Sequence, residues 1–195
     1  MKGNLSINMS KIFILLIPLL LFGCSEKYTP KPYAYFRIDF PEKEWKQTTD
    51  TLPYRFKMAN IANIEPDKSK DAEPGWINIH YPQYNAKIHL SYKKITTDTS
   101  LLHYTEDCHR MAYSHTIKAE SINEKYFKKK EIFGLIYYIE GNTASSTQFF
   151  ATDSTHHFLR GALYFNQHPN KDSLAPVIAY LRQDIINLME TLQFK

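Results

Sequence analysis

Trp76-Ile77-Asn78-Ile79-His80-Tyr81, Pro82-Gln83-Tyr84-Asn85, then Ala86-Lys87-Ile88-His89-Leu90-Ser91-Tyr92-Lys93-Lys94-Ile95: two runs with a period of two flank four residues of turn chemistry. Successive side chains of a strand point to opposite faces, so Ile88, Leu90 and Tyr92 share one face. The spacing predicts a β-hairpin with one apolar side. Such a face needs a cover, and the following stretch offers one.

Residues 98–119 read as a helix capped by Asp98 or Ser100. Leu101, Tyr104, Cys108, Met111, Ala112 and His115 recur at helical spacing, with Glu106, Asp107 and Arg110 turned away. Four extended runs come next, Glu124–Phe133, Leu135–Glu140, Ser146–Thr152 and His157–Phe165, punctuated by Gly134, Gly141-Asn142 and Asp153-Ser154. They predict an antiparallel meander. A last helix follows, capped by Asp172 or Ser173, with Pro176 in its first turn. Leu174, Val177, Ile178, Leu181, Ile185, Leu188 and Leu192 form its apolar stripe. Strands, helix, strands, helix is the order of an α+β domain: an antiparallel β-sheet with two helices packed on one face.

Upstream the pattern is weaker. Tyr54–Met58 alternates as a strand does, and Ile61–Gly75, rich in charge with Pro66 and Pro74, reads as a loop. Tyr33–Phe40 is aromatic-rich, read either as an added edge strand or as a surface for a partner. Tyr35, Phe36 and Arg37 are therefore candidate partner contacts.

The N-terminus has a different character. Lys11 precedes the apolar run Ile12–Phe22. Eleven residues are too few to span a bilayer, which takes about 20, but they suit the h-region of a signal peptide. The run stops at Leu21-Phe22-Gly23-Cys24, which resembles a bacterial lipobox; Phe22 is bulkier than that position usually carries. Gly23 gives a peptidase room, and Cys24 supplies the sulfur that takes the lipid. Met9 offers an alternative start. The domain reading is 1–23 signal peptide, 24–32 acylated cysteine and Pro-rich tether, and 33–195 a single α+β domain. Pro30 and Pro32 favour an extended spacer.

Composition narrows the function. Of 24 Lys+Arg, Lys2 and Lys11 leave with the signal, so 22 remain against 20 Asp+Glu. That balance does not point to nucleic acid. With Cys24 acylated, Cys108 stands alone and no intramolecular disulfide forms; it reads as a small buried hydrophobe.

Catalytic patterns are weak. His103, His109 and His115 are spaced by six, which turns a helix about 600° and leaves neighbours about 120° out of phase; metal-binding pairs take i, i+4. Ser145, Ser146, Asp153, His156 and His157 include the residue types of a hydrolytic triad, without a G-x-S-x-G elbow. No Gly-rich phosphate loop is present, and no cofactor or metal is expected. Lys125 and Lys128-Lys129-Lys130 read as a solvated strand end, with an acidic partner or anionic lipid as the functional reading. Arg160-Gly161 interrupts an apolar strand: the glycine suggests a bulge or close backbone approach, and Arg160 is a further candidate partner contact.

Tyr28-Thr29-Pro30-Lys31-Pro32 with Tyr35-Phe36-Arg37-Ile38-Asp39 resembles the opening of the gliding-motility lipoprotein GldD family of Bacteroidetes. Ile77–Pro82, Leu90–Lys93, Gly134–Tyr137, Thr152–Thr155, His157–Phe165 and Asp172–Val177 resemble its later blocks; their order makes the likeness specific. Tyr33-Ala34 and Tyr54–Asp67 depart from it. The resemblance implies an acylated, palmitate-bearing envelope lipoprotein at the periplasmic face of the outer membrane. It implies a role in gliding motility, as a non-enzymatic accessory or assembly factor partnered with other gliding and type IX secretion envelope proteins. At the level of fold the element order is similar to the Mog1/PsbP type. A carrier of lipid or another apolar ligand is the alternative that the aromatic content raises.

Overall fold

The computed structural model describes residues 38–195. Its short strands are β1 (Trp45–Gln47), β2 (Tyr54–Arg55), β3 (Lys57–Ala59) and β4 (Asn63–Pro66). The hairpin follows as β5 (Ile77–Tyr81) and β6 (Ala86–Lys94), then helix α1 (Asp98–Tyr113). The remaining elements are β7 (Ala119–Lys129), β8 (Ile132–Gly141), β9 (Ser145–Thr152), β10 (His157–Phe165), α2 (Lys171–Thr191) and β11 (Gln193–Phe194). Seven strands form one sheet in the order β4-β5-β6-β10-β9-β8-β7, and all its pairings are antiparallel. The sequence-derived hairpin and the meander are both there, joined where β10 lies against β6. The α+β class stands.

The two helices do not share a face. The stripe of α2, including Leu181, Ile185 and Leu188, packs with Ile88, Leu90, Ile136, Phe149, Leu159 and Leu163. Ala112 of α1 instead joins Leu135, Tyr137 and Ile139, whose side chains leave β8 on the opposite side from Ile136. The physical reason lies in β8 and β9. Leu135-Ile136-Tyr137-Tyr138-Ile139 is a continuous apolar run, and every residue of β9 but Phe150 is buried. A strand with one wet face alternates; one apolar throughout is covered twice.

Smaller differences follow local chemistry. Thr97, not Asp98 or Ser100, caps α1, its Oγ1 accepting from Ser100 N at 3.2 Å. That helix stops at Tyr113 and passes through a 3-10 turn, Ser114–Ile117, so β7 begins at Ala119. Asn170 caps α2 at 3.2 Å from Ser173 N, which moves Pro176 beyond the first turn, where it removes one hydrogen bond of the helix. The β7–β8 turn falls at Lys130-Glu131, with Lys130 left-handed at φ 54°. Gly134 lies inside β8 rather than at a turn. A Cβ there would sit 2.2 Å from Phe150 O and 2.9 Å from Met189 Cε, so the close approach of β9 and α2 requires glycine. The stretch read as a loop, 61–75, contributes the edge strand β4, paired with β5 from Asn63↔His80 to Pro66↔Ile77.

The segment entering the domain is fixed to α2. Phe40 stacks on Tyr180 at 4.5 Å between centroids. Lys43 Nζ forms an ion pair with Asp184, donates to Tyr180 O at 2.9 Å, and stands over the Tyr180 ring at 3.3 Å. Asp184 is 3 % exposed within the apolar stripe. Burial raises its pKa against the pull of Lys43, and burial likewise lowers that of Lys43. At the other end, β11 pairs with β2, and Phe194 stacks on His157 at 5.0 Å.

Candidate functional site

Helix α1 lies across part of its sheet face and leaves the β5–β6 side open. Strand parity puts Asn78 and His80 of β5, Lys87, His89, Ser91 and Lys93 of β6, and Phe158, Arg160 and Tyr164 of β10 on that face. The register sets Ser91 opposite Arg160 and Lys87 opposite Tyr164. Two hollows result. The larger, ≈ 670 Å³, includes His80, Lys87, His89 and Tyr164 in its lining. Its charges are largely answered: Glu65 binds Lys87 Nζ at 2.9 Å and His80 Nδ1 at 2.8 Å. The Lys87 hydrogen bond does most to hold the Glu65 carboxyl below its usual range. Burial lowers the pKa of His89, whose ring meets Tyr164 edge-on at 5.3 Å. Asn78 Oδ1 is buried without a hydrogen-bond partner.

The smaller hollow, ≈ 210 Å³, lies where α1 meets β6 and β10. Trp76, Tyr104, Cys108, Met111 and Phe158 give it apolar walls, and Arg160 lines it with them. Arg160 Nη2 donates to Gln148 Oε1 at 2.9 Å, while its Nε is buried without a partner. Among the described residues no carboxylate forms an ion pair with this guanidinium, although other charges in the lining are matched. Lys93 pairs with Glu73 and lies over the Trp76 ring at 5.1 Å. Asp107 holds Arg110 at 2.7 Å and His103 at 3.4 Å. Burial pushes the Cys108 thiol up to about 12, so it stays protonated and behaves as an apolar wall.

The other sequence candidates do not converge. Ser145 and Ser146 begin β9, whereas Asp153 and His157 lie beyond its far end. Seven strand steps of about 3.3 Å put roughly 23 Å between the two groups, so no triad assembles. Ser145 Oγ donates to Thr147 O at 3.3 Å. Asp153 instead shapes the β9–β10 turn, its Oδ1 accepting from the backbone N–H of Thr155, His156 and His157 at 3.0, 2.9 and 2.8 Å. Burial opposes its charge, but these three donors outweigh it and hold the pKa below the usual value. His156 is exposed and hydrogen-bonds Thr155. His157 shares a 2.8 Å hydrogen bond with the Tyr92 hydroxyl.

His103 faces Asp107, His109 stacks on Tyr113 at 4.2 Å near Glu124, and His115 sits in the 3-10 turn. Among the described residues no three His, Cys, Asp or Glu side chains group as metal ligands. Lys125, Lys128 and Lys129 are exposed along edge strand β7. Tyr35, Phe36, Arg37 and Cys24 lie outside the described residues. Of the four candidate partner contacts Tyr35, Phe36, Arg37 and Arg160, Arg160 lies among the described residues, and the fold seats it in the hollow beside α1. Spacing alone gives Trp76 a place in the hairpin, Tyr104 a helix face and Gln148 a place in a strand; only the β6–β10 pairing and the placement of α1 gather them around Arg160.

A sequence profile built on one family runs along nearly this entire chain, from residue 25 to residue 194. The chain belongs to the gliding motility lipoprotein GldD family. Membership in the GldD family ties it to gliding motility and, as a lipoprotein, to anchoring in the cell envelope. Among the described residues no helix is long and apolar enough to cross a membrane. No curated protein sequence matches the chain. Among solved structures, cyanobacterial PsbP (CyanoP) from Synechocystis sp. PCC 6803 is similar, with a TM-score of 0.50 at 12 % identity. The likeness covers 86 % of this chain and 100 % of that one, and it establishes a PsbP-like fold.

Proposed function

We propose that this chain is a non-enzymatic, membrane-tethered accessory factor of the gliding and type IX secretion machinery. The observation that carries the reading is the GldD-family match, which begins at residue 25, directly after Cys24. In this reading residues 1–23 are removed as a signal, Cys24 carries the acyl chains, and 24–32 space the domain 33–195 off the periplasmic face of the outer membrane. Two or more acyl chains hold a protein stably where one does not. The separation of Ser145 and Ser146 from His157 favours interaction over hydrolysis. A carrier of membrane lipid finds less support: side chains fill the α2 side of the sheet, the hollow beside α1, ≈ 210 Å³, is too small to enclose a diacyl lipid, and the ≈ 670 Å³ hollow is lined by His80, Lys87 and His89 rather than by apolar walls.

The test is Cys24→Ala expressed in cells in place of the parent. Cell fractionation is expected to find it released from membranes, and gliding to be lost. Normal gliding with a soluble variant overturns the tether. Crosslinking in intact cells then addresses the partner: recovery of other gliding or secretion envelope proteins is expected, and recovery of the chain alone with bound lipid favours the carrier.

A further inference from the structure

We infer that the hollow between α1 and the β6–β10 pair is a receptor for a small apolar carboxylate, an acyl or aryl acid whose anion meets Arg160. This goes beyond the accessory role and does not depend on it. A cation drawn out of water is costly unless an anion and further hydrogen bonds compensate it. Arg160 is half-buried: Gln148 accepts from its Nη2, the Cys108 thiol stands beside it, and among the described residues no carboxylate forms an ion pair with it. Every other charged side chain lining the hollow is neutralised: Lys93 by Glu73, and Asp107 by Arg110. The uncompensated charge is therefore positive and belongs to one planar guanidinium, whose fork of donors matches a carboxylate better than a point charge does.

The walls choose what the carboxylate is attached to. Tyr104, Cys108, Met111 and Phe158 present rings, a thiol and a thioether, with Phe158 stacked against Phe150 at 5.3 Å and tilted against Tyr104 at 5.4 Å. A volume of ≈ 210 Å³ holds on the order of seven groups the size of water, at about 30 Å³ each. A short acyl or single-ring acid fits; a diacyl lipid does not. Met111 is 37 % exposed and stands at the rim on α1, so a longer chain would leave past it.

The experiment is titration of the purified protein with octanoate, followed by backbone amide NMR shifts. Saturable shifts are expected at Tyr104, Cys108, Met111, Phe158 and Arg160. Octan-1-ol, with the same chain and no charge, and acetate, with the charge and almost no chain, are each expected to bind at least tenfold more weakly. Arg160→Gln is expected to lose at least tenfold in octanoate affinity. Met111→Trp, which fills the rim from a half-exposed helix position, is expected to block octanoate while leaving the rest of the spectrum in place. Octanoate shifts that fail to saturate, or that centre elsewhere, overturn the site. Equal binding of octan-1-ol removes the role of Arg160, and equal binding of acetate removes the role of the walls. These wild-type comparisons and Met111→Trp decide the matter even if Arg160→Gln does not fold.

Discussion

Replacing Gly161 by alanine adds one methyl group to the middle of the sheet. On the observed backbone that carbon would lie 2.1 Å from Phe149 Cζ, 2.3 Å from Cε1 and 2.8 Å from Cε2. Gly161 and Phe149 are directly opposed in the β9–β10 register, so the ring of one strand lies over the bare backbone of the next. Phe149 is 1 % exposed and packed beneath α2. It cannot swing aside without leaving its rotamer, which costs about 0.5–1.5 kcal/mol, and overpacking a filled core costs about 1–3 kcal/mol more. Against this, alanine in a strand recovers about 0.5–1 kcal/mol of backbone entropy. The net expectation for Gly161→Ala is a loss of about 2–3 kcal/mol in urea unfolding, or roughly 4–12 °C in Tm for a domain of this size. The cause is separable by a double-mutant cycle. Phe149→Ala alone should cost about 3–5 kcal/mol. In that background the ring is gone, and adding Gly161→Ala should be neutral or slightly stabilising. If Gly161→Ala costs the same with and without the ring, within about 0.5 kcal/mol, the ring-over-glycine account is wrong.

Two further changes probe charge. Lys43→Met leaves the buried Asp184 carboxylate beside the Tyr81 hydroxyl without its cation and should cost about 3–5 kcal/mol at pH 7, whereas Lys43→Met with Asp184→Leu should recover most of it in the same urea assay. Burial raises the folded-state pKa of Asp184, so the single variant should lose stability as pH rises from about 4, where the unfolded carboxyl begins to ionise ahead of the folded one. Asp153 has the opposite sign: its folded pKa is depressed, so its contribution is present above about pH 4 and lost as pH falls through the folded value. Asp153→Ala should remove about 1–3 kcal/mol at pH 7 and flatten the acid limb of a stability–pH curve below pH 4; an unchanged limb would refute this role.

The elements were legible wherever one periodicity dominated. The Ile77–Tyr81 and Ala86–Lys94 hairpin, the stripe of α2 and the His157–Phe165 strand could be read from spacing alone. The layering could not, although its trace was present: Leu135–Ile139 never alternates, which is how a strand covered on both faces looks. The sheet edge β4 was hidden because charge and proline outweigh four residues of pairing. For the site, Arg160-Gly161 stood out as a break in an apolar strand. The glycine proved to be a close approach to Phe149, and the arginine lines the hollow beside α1 with Lys93 and Asp107. Its walls come from β6, α1 and β10, and no local pattern says that they meet. Lys43 and Asp184 are 141 positions apart; only a lone acid inside the stripe Leu181, Ile185, Leu188 hinted at a partner.

The fastening of Phe40 and Lys43 onto α2 has a mechanical side. Tension carried by the chain before Ile38 reaches the fold at these two residues and acts on the longest helix through Tyr180 and Asp184. An aromatic stack, a buried ion pair and the β1–β3 ladder would take that load together with the β5–β6 turn, because Phe40 also lies 5.9 Å from the Tyr84 ring. In a protein tied to cell movement, a pull on the N-terminal segment would thus enter on the α2 side of the sheet, the face opposite the hollow beside α1.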